Sequence, residues 1–255
     1  YPLAPNEERT RRKKMTKSFP SPSSDAIRND LLSLVKSVRG QVLDADRLYV
    51  AVDCKRPSPA PKIKSDGRDR AEAFHALSLE AAKCRQCPLA QTRKNVVFGA
   101  GSLSAQVVFV GEAPGADEDE QGLPFVGKAG QLLTNIITAM GLTRKEVYIC
   151  NILKCRPPGN RNPLPEEISR CEPFLKKQLQ LIRPRVICAL GKFAAQSLLK
   201  TETPITALRG RFHDYEGIKL LPTYHPAYLL RNPAAKKQVW EDVQLIMKEV
   251  GLPLD

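Results

Sequence analysis

Short runs of β-branched and aromatic residues alternate with helix-like segments beyond residue 84. Four of these runs predict buried strands: VVFVG at 107–111, VYICNI at 147–152, RVICALG at 185–191 and KLLPTYH at 219–225. The segments between them carry apolar residues at helical spacing, as in KAGQLLTNIITAMG at 128–141. This alternation indicates an α/β fold, in which a four-stranded parallel sheet is covered on both faces.

Glycine and polar residues occupy the carboxyl ends of the predicted strands. The ends read GEAPG at 111–115, Asn151, LGK at 190–192, and His225 followed by Pro226. The carboxyl ends of parallel strands share one edge of the sheet, and working groups sit on the loops there. We therefore expect the functional site at this edge.

The first 70 residues differ in composition from the rest of the chain. They hold 16 basic and 9 acidic residues and are rich in proline and serine, a pattern typical of disorder. A short helix and a basic linker are predicted within them, and Met15 is a candidate native start. We therefore divide the chain into a basic extension at 1–70 and a folded domain at 71–255.

The charge of the whole chain is strongly positive. Lysine and arginine number 40 against 27 aspartate and glutamate, a formal net charge of +13. Such an excess points to a polyanionic partner, most often nucleic acid, although a basic extension that serves only as a spacer has the same composition. No apolar stretch is long enough to span a membrane. We expect no membrane partner, a cytoplasmic location and a monomer.

Seven cysteines include two that stand close together, Cys84 and Cys87 in CRQC. Cys155 follows the second predicted strand in KCRPPGNRNP, and Cys171 lies in the next predicted helix. Thiolates in this arrangement suit zinc or an iron–sulfur cluster. A redox pair or ordinary thiols are the alternative for Cys84 and Cys87, while a disulfide framework is disfavoured because no apolar signal segment is found. The cysteines of the apolar strands are interpreted as core residues: Cys150 and Cys188.

Three motifs, in order, resemble those of family 4 uracil-DNA glycosylases, the iron–sulfur type. They are GEAPGADEDEQGLPFVGKAGQLL, YICNILKCRPPGNRNPLPEE and LPTYHPAYLLRNP, and they span most of the chain beyond residue 80. The resemblance implies a three-layer α/β/α fold with a central four-stranded parallel sheet. It also implies an enzyme that hydrolyses uracil from DNA and leaves an abasic site. The implied cofactor is a [4Fe–4S] cluster whose ligands would be Cys84, Cys87, Cys155 and Cys171.

The resemblance assigns base-binding roles at the predicted edge of the sheet. Phe125 in LPFVG would stack on the flipped uracil, and Asn151 would match its N3–H and O4 with one acceptor and one donor. Taken alone, each residue also fits a structural role, as a core phenylalanine and as a strand-capping asparagine. Gly111 would let the backbone approach the base closely, and the backbone N–H at Ala113 would face uracil O2.

Cleavage of the N-glycosidic bond builds positive charge on the sugar and negative charge on uracil. The resemblance implies that His225 donates an N–H to uracil O2 as that charge develops. It implies that Glu112 supplies an anion beside the sugar and positions a water. A satisfied structural histidine is the alternative for His225. The acids Asp117, Glu118 and Asp119 are interpreted as a solvated loop in preference to supporting groups of the site.

The DNA contacts implied by the resemblance lie on two loops. HPAYLLRNP resembles the loop that enters the minor groove and fills the gap left by the flipped base. KCRPPGNRNP contains the predicted cluster ligand Cys155. A cluster next to a DNA-facing loop favours a structural role for the cluster over a redox role. The predicted DNA-binding residues are Leu229, Leu230, Arg231, Asn160 and Arg161.

Two other functions are open at this point. One relative traps uracil covalently through a histidine in an inserted arginine-rich loop after the asparagine strand. The corresponding KCRPPGNRNP has no such insertion, which favours turnover. The other function is a noncatalytic iron–sulfur DNA-binding module, which the combination of Glu112, Phe125, Asn151 and His225 disfavours.

Overall fold

The computed structural model describes residues 67–254. The predictions for residues 1–66, namely the short helix, most of the basic linker and the candidate start at Met15, lie outside the described residues. The boundary predicted between extension and domain falls within the first described helix, which runs from Gly67 to Ala82.

One sheet organises the described part of the chain. Its strands are β1 (Ala100–Gly101), β2 (Val107–Gly111), β3 (Tyr148–Asn151), β4 (Val186–Leu190), β5 (His213–Tyr215) and β6 (Ile218–Thr223). Their order across the sheet is β1–β3–β2–β4–β6–β5. The four strands predicted from sequence are the central ones, and they run parallel to one another.

The prediction of a sheet with four strands, all parallel, is wrong at the edges. Strands β1 and β5 pair antiparallel with β3 and β6, so the sheet is mixed and six-stranded. β1 has two residues, too few to show a period of two. β5 is mostly polar and returns to β6 through a tight turn at Glu216 and Gly217, which both have positive φ.

Helices fill the connections between the parallel strands, as such strands require. The segment predicted as a helix from 128 to 141 is helical from Lys128 to Ala139, and Gly141 after it has a φ of 75°. No helix in residues 67–254 is both long and apolar enough to cross a membrane. The helices are α1 (Gly67–Ala82), α2 (Leu89–Thr92), α3 (Ala116–Gln121), α4 (Lys128–Ala139), α5 (Pro165–Ile182), α6 (Lys192–Leu199), α7 (Ile205–Leu208), α8 (Pro226–Arg231) and α9 (Lys236–Val250), with 3₁₀ turns at Pro158–Asn160 and Pro233–Ala235.

The sheet separates two hydrophobic clusters, because alternate residues of a strand point to opposite faces. Val108 and Val110 of β2 belong to the cluster that includes residues of α5 and α6. Phe109 belongs to the cluster that includes residues of α4 and α9. Cys150 and Cys188 are fully buried, one in each cluster, which confirms their interpretation as core residues.

The register of the central strands decides which residues meet at the carboxyl edge. Gly111 at the end of β2 pairs with Asn151 at the end of β3. β6 ends at Thr223, whose carbonyl accepts from the backbone N–H of Gly191 at 2.8 Å, and the chain then turns to His225. The segments that follow β2, β3, β4 and β6 therefore gather at the edge where the sequence predicts the site.

Candidate active site

Asn151 presents an unpaired acceptor at the carboxyl edge of the sheet. The residue is 2% exposed, and its Oδ1 makes no hydrogen bond within the described part of the chain. Nearly all buried polar atoms in folded proteins have a partner, and an acceptor without one costs free energy. The orphaned oxygen therefore marks a place for a ligand that carries a hydrogen-bond donor.

Gly111 lets an aromatic ring and the Asn151 side chain meet over the end of β2. A Cβ added at Gly111 would lie 2.5 Å from Cζ of Phe125 and would also collide with Oδ1 of Asn151. Any other residue would therefore displace both groups. The Phe125 ring forms a flat apolar wall beside the orphaned acceptor.

The backbone that carries Phe125 is held by a guanidinium group. Phe125 has a φ of 53°, a left-handed conformation that is strained for a bulky side chain. Arg144 donates from Nη2 to the Pro124 carbonyl at 2.6 Å and from Nη1 to the Phe125 carbonyl at 3.1 Å. Nη1 also lies 3.2 Å from the hydroxyl of Thr134. These bonds fix the direction in which the ring projects.

Glu118 holds the other side of the same loop. Its carboxylate accepts from the backbone N–H groups of Val126 at 2.9 Å and of Gly127 and Gly115 at 3.0 Å. Asp119 is 3% exposed and accepts from two backbone N–H groups of the segment before β1. The interpretation of these acids as a solvated loop is therefore wrong for Glu118 and Asp119, because backbone donors occupy both carboxylates.

His225 caps the N-terminus of α8 and faces the Phe125 ring. Its Nδ1 accepts from the backbone N–H of Ala227 at 3.1 Å, so the neutral ring carries its proton on Nε2. Burial lowers the pKa of His225 to about 4, which keeps the ring neutral at physiological pH. The two ring centroids lie 5.6 Å apart. A Cβ added at Gly191 would lie only 2.9 Å from the Cβ of His225. Glycine at this position therefore avoids a clash with the histidine side chain.

Glu112 follows Gly111 at the end of β2 and is half-buried. Burial raises the pKa of its carboxyl, because a charged group in low dielectric loses favourable hydration. Its backbone carbonyl accepts from the N–H of Leu153 at 3.0 Å, which extends the pairing beyond the ends of β2 and β3. Ala113, the next residue, packs against the core.

Four cysteines line one cavity in this domain: Cys84, Cys87, Cys155 and Cys171. Two N–H groups donate to their sulfurs, from Arg93 Nη1 to Cys155 Sγ at 3.1 Å and from the Lys154 backbone to Cys171 Sγ at 3.3 Å. Within residues 67–254, no three metal-binding side chains are close enough to hold a single ion. Cysteine sulfurs are the soft donors that zinc and iron–sulfur clusters use as ligands.

Residues 98–244 match the family model of the uracil DNA glycosylase superfamily. A type-4 uracil-DNA glycosylase of Archaeoglobus fulgidus is 45% identical over 188 residues, which are 71% of this chain and 94% of the relative. One of Thermotoga maritima is 46% identical over 179 residues, 69% of this chain and 93% of the relative. This chain belongs to the type-4 uracil-DNA glycosylases. A DNA polymerase of Bacillus phage SP01 is 32% identical over 149 residues, but these are 16% of its length.

Helix α8 of this type-4 glycosylase exposes only part of the predicted DNA-binding loop. Leu229 is 1% exposed and packs in the core, whereas Leu230 is 48% exposed. Arg231 is exposed beside it. The prediction that Leu229 enters DNA is therefore corrected, because the helical phase turns this side chain inward.

The loop after Cys155 exposes both residues that are predicted there to bind DNA, Asn160 and Arg161. Asn160 is exposed, has a φ of 54° and accepts at Oδ1 from Arg156 Nε at 2.7 Å. Arg161 forms a bidentate pair with the buried Glu167, at 2.6 and 2.9 Å. This pair orders the loop, and the Arg161 side chain stays 39% exposed.

Sequence reasoning missed Arg144 and underestimated Glu118. Arg144 lies in GLTRKE between α4 and β3, and its acceptors are backbone carbonyls of a distant loop, so no local pattern identifies it. Glu118 could have been found, because it stands three residues after Gly115 at the start of a helix. That spacing is the capping-box spacing, in which the acid bonds back to the preceding backbone N–H.

Proposed function

We propose that this glycosylase flips uracil out of DNA into the pocket beside Asn151, hydrolyses its N-glycosidic bond and leaves an abasic site. Membership of the type-4 family supports the activity. The orphaned Oδ1 of Asn151 supports the substrate, since it needs a donor and the N3–H of uracil is one. A flipped base is held by such edge hydrogen bonds and by stacking.

Asn151 separates uracil from cytosine by polarity. Its Oδ1 accepts from the N3–H of uracil while its Nδ2 donates to O4. Cytosine has an acceptor at N3 and a donor amino group on C4. Bound in the same way, it would place an acceptor against Asn151 Oδ1 and a donor against Nδ2. A site built around buried polar groups rejects such an analogue strongly because those groups stay unpaired. Phe125, held by Arg144 and Glu118, stacks on the ring of the bound base.

His225 stabilises the leaving uracil. When the C1′–N1 bond breaks, its electron pair goes to uracil, and the Nε2–H of His225 donates to O2, where negative charge collects. Because the pKa of about 4 keeps the ring neutral, the imidazole gives a hydrogen bond and retains its proton. The backbone N–H of Ala113 is assigned the same task, and Gly111 lets the backbone come close.

Glu112 acts on the sugar. Its carboxylate stabilises the cationic sugar and orients a water whose oxygen bonds to C1′. The proton of that water passes to Glu112, whose raised pKa suits it to receive one. Uracil departs as the anion and takes a proton from solvent.

The four cysteines of the shared cavity are assigned to a [4Fe–4S] cluster. Cys84 and Cys87 lie between α1 and α2, Cys155 lies after β3, and Cys171 lies in α5. A cluster held by all four would supply a cross-link between these segments. The cluster would thereby fix the loop that Arg161 and Glu167 also order.

We expect Cys155→Ser to lose the broad visible absorbance of an iron–sulfur protein, because one of four ligand sulfurs is gone. The absorption spectrum and the iron content per chain measure this directly. Cys54→Ser is the control, since Cys54 is not one of the four residues, and it should keep the wild-type spectrum. A Cys155→Ser protein with an unchanged spectrum would remove Cys155 from the ligand set.

DNA contacts are assigned to exposed residues around the pocket. Leu230 is the apolar wedge that enters the duplex, and Arg231 and Asn160 contact the strand beside it. Arg161, exposed next to Asn160, also contacts the strand, and its pair with Glu167 orders the loop. The net charge of +13 adds phosphate affinity, with residues 1–70 as a basic extension of the glycosylase domain. We propose that the glycosylase acts as a monomer.

The function is tested with a single-stranded oligonucleotide that carries one uracil. After incubation and a denaturing gel, we expect alkali-labile product and no shifted protein band. A band of protein joined to DNA would favour covalent trapping. The absence of both, with protein that carries the cluster, would favour a noncatalytic DNA-binding module.

Arg144→Met tests the support of the stacking wall. Methionine removes both donors to the Pro124 and Phe125 carbonyls, and we expect kcat/KM for uracil release to fall about tenfold, because small misplacements near a reacting group are costly. Lys145→Met, at the exposed neighbouring position, is the control and should stay within about twofold. Equal kcat/KM in the two variants would show that the wall holds its position without Arg144.

A further inference from the structure

Lys154 is a buried lysine without a carboxylate partner in the described part of the chain. It is 2% exposed, and none of the ion pairs within residues 67–254 includes it. Removing an ammonium group from water is costly unless opposite charge or good acceptors compensate it. The proposed mechanism gives Lys154 no task, so its burial needs another explanation.

Compensating negative charge is available on the cysteine side of Lys154. The residue lines the same cavity as the four cysteines, and its backbone N–H donates to Cys171 Sγ at 3.3 Å. Thiolates that bind an iron–sulfur core leave the site with negative charge, and nearby hydrogen bonds and cations tune such sites. Arg93 brings a second cation to the cavity, with Nη1 at 3.1 Å from Cys155 Sγ.

The Lys154 ammonium group also binds the end of the strand that carries the base-reading residue. Its Nζ donates to the main-chain carbonyl of Asn151 at 2.7 Å. Asn151 ends β3 and carries the orphaned Oδ1, so the position of its backbone decides where that acceptor points. Lys154 therefore contacts the cysteine cavity and the base-reading residue at once.

We infer that Lys154 is a positioning residue that fixes the carboxamide of Asn151 relative to the cysteine site. Thiolate charge in the cavity that Lys154 lines would compensate the ammonium group, and the ammonium group donates to the Asn151 carbonyl. Base recognition then depends on the cysteine site although no cysteine is assigned to touch the base. The inference rests on the proposed function, because it requires that Asn151 reads uracil.

Lys154→Met tests this inference, since methionine keeps an unbranched apolar stem but removes the charge and the donor. The probe is a single-stranded oligonucleotide with one 2′-fluoro-2′-deoxyuridine, whose glycosidic bond resists hydrolysis. Its affinity is compared with that of the same strand carrying 2′-fluoro-2′-deoxycytidine. We expect the preference for the uracil strand to fall about tenfold, because misplaced recognition groups lose much of their effect. An unchanged preference in protein that keeps its visible absorbance would overturn the inference.

Asn151→Ala provides the background that separates positioning from a general structural role. If Lys154 acts through Asn151, adding Lys154→Met to Asn151→Ala should lower the preference by less than about twofold more, since coupled residues are not additive. If the double variant instead loses uracil preference by the product of the two single-variant losses, the two residues act independently and the inference is contradicted. Arg93→Met is the comparison at the cavity: it removes a cation there without reaching Asn151. We expect it to weaken iron retention but to lower the uracil preference much less than Lys154→Met.

Two further substitutions keep the test decisive if Lys154→Met fails to fold. Lys154→Arg keeps a charge and donors, and Lys154→Gln keeps a donor without charge, so we expect the arginine variant to retain more of the uracil preference. The inference would be overturned if Lys154→Arg lost as much of the uracil preference as Lys154→Gln, or more. Failure of the proposed function gives a different result, because wild-type protein would then release no uracil from an ordinary strand.

Discussion

Asn151→Ala is expected to lower the rate of uracil release by about 10²- to 10³-fold, the range found when one donor that stabilises a transition state is removed. The substitution takes away both edge contacts to the base. It breaks no hydrogen bond of Oδ1 within the described part of the chain, because that atom has none. The thermal midpoint should therefore change little while activity collapses.

The exposed Asn135 of α4 supplies the matched control for this prediction. Asn135→Ala removes the same carboxamide from an exposed helix position and should keep kcat/KM within about twofold of wild type. An Asn151→Ala enzyme as active as the Asn135→Ala enzyme would show that Asn151 merely caps its strand. A steady-state assay on one uracil-containing oligonucleotide measures both variants.

Glu112→Gln is expected to lower uracil release by at least about 10²-fold, because the cationic sugar loses its anion and the water loses its proton acceptor. The wild-type rate should also fall on acidification. Only the charged carboxylate acts, and burial raises its pKa, so the acid limb lies at a higher pH than for an ordinary glutamate. The Gln variant should lack this limb in its pH profile. A profile in the variant that falls over the same pH range as in wild type would assign the limb to another group.

The same substitution should stabilise the protein. A carboxyl whose folded-state pKa is raised favours folding when protonated, and this contribution is lost as pH rises through the raised pKa. At neutral pH the wild-type carboxylate is therefore unfavourable, and Glu112→Gln should raise the thermal midpoint. The difference between variant and wild type should shrink at pH values below the pKa of an unfolded glutamate. A midpoint that drops at neutral pH would contradict the burial argument.

The centre of the fold could be predicted from sequence because its signals are local and repeated. The four parallel strands are apolar runs, buried along β2, β3 and β4, and the helices between them carry a clear apolar face. The edge strands could not be predicted, since β1 has two residues and β5 is mostly polar. Their pairing depends on neighbours that the local sequence does not specify.

The position of the pocket could be predicted because several of its residues end a predictable strand or closely follow one. Gly111 and Asn151 pair in register, and His225 comes two residues after β6. The supporting residues could not be found in this way, because Arg144 and Lys154 bind backbone carbonyls that only the folded chain brings near. Which of the two adjacent leucines in HPAYLLRNP is buried depends on the residue at which α8 begins. The sequence does not reveal that residue, so the burial of Leu229 could not be predicted.

A crystal structure of the enzyme with free uracil tests the central claim most directly. We expect uracil to stack on Phe125, with its N3–H donating to Asn151 Oδ1 at a normal distance of about 2.7–3.2 Å, and His225 Nε2 to face O2. Uracil bound elsewhere, or in this pocket with Asn151 Oδ1 still unpaired, would contradict it.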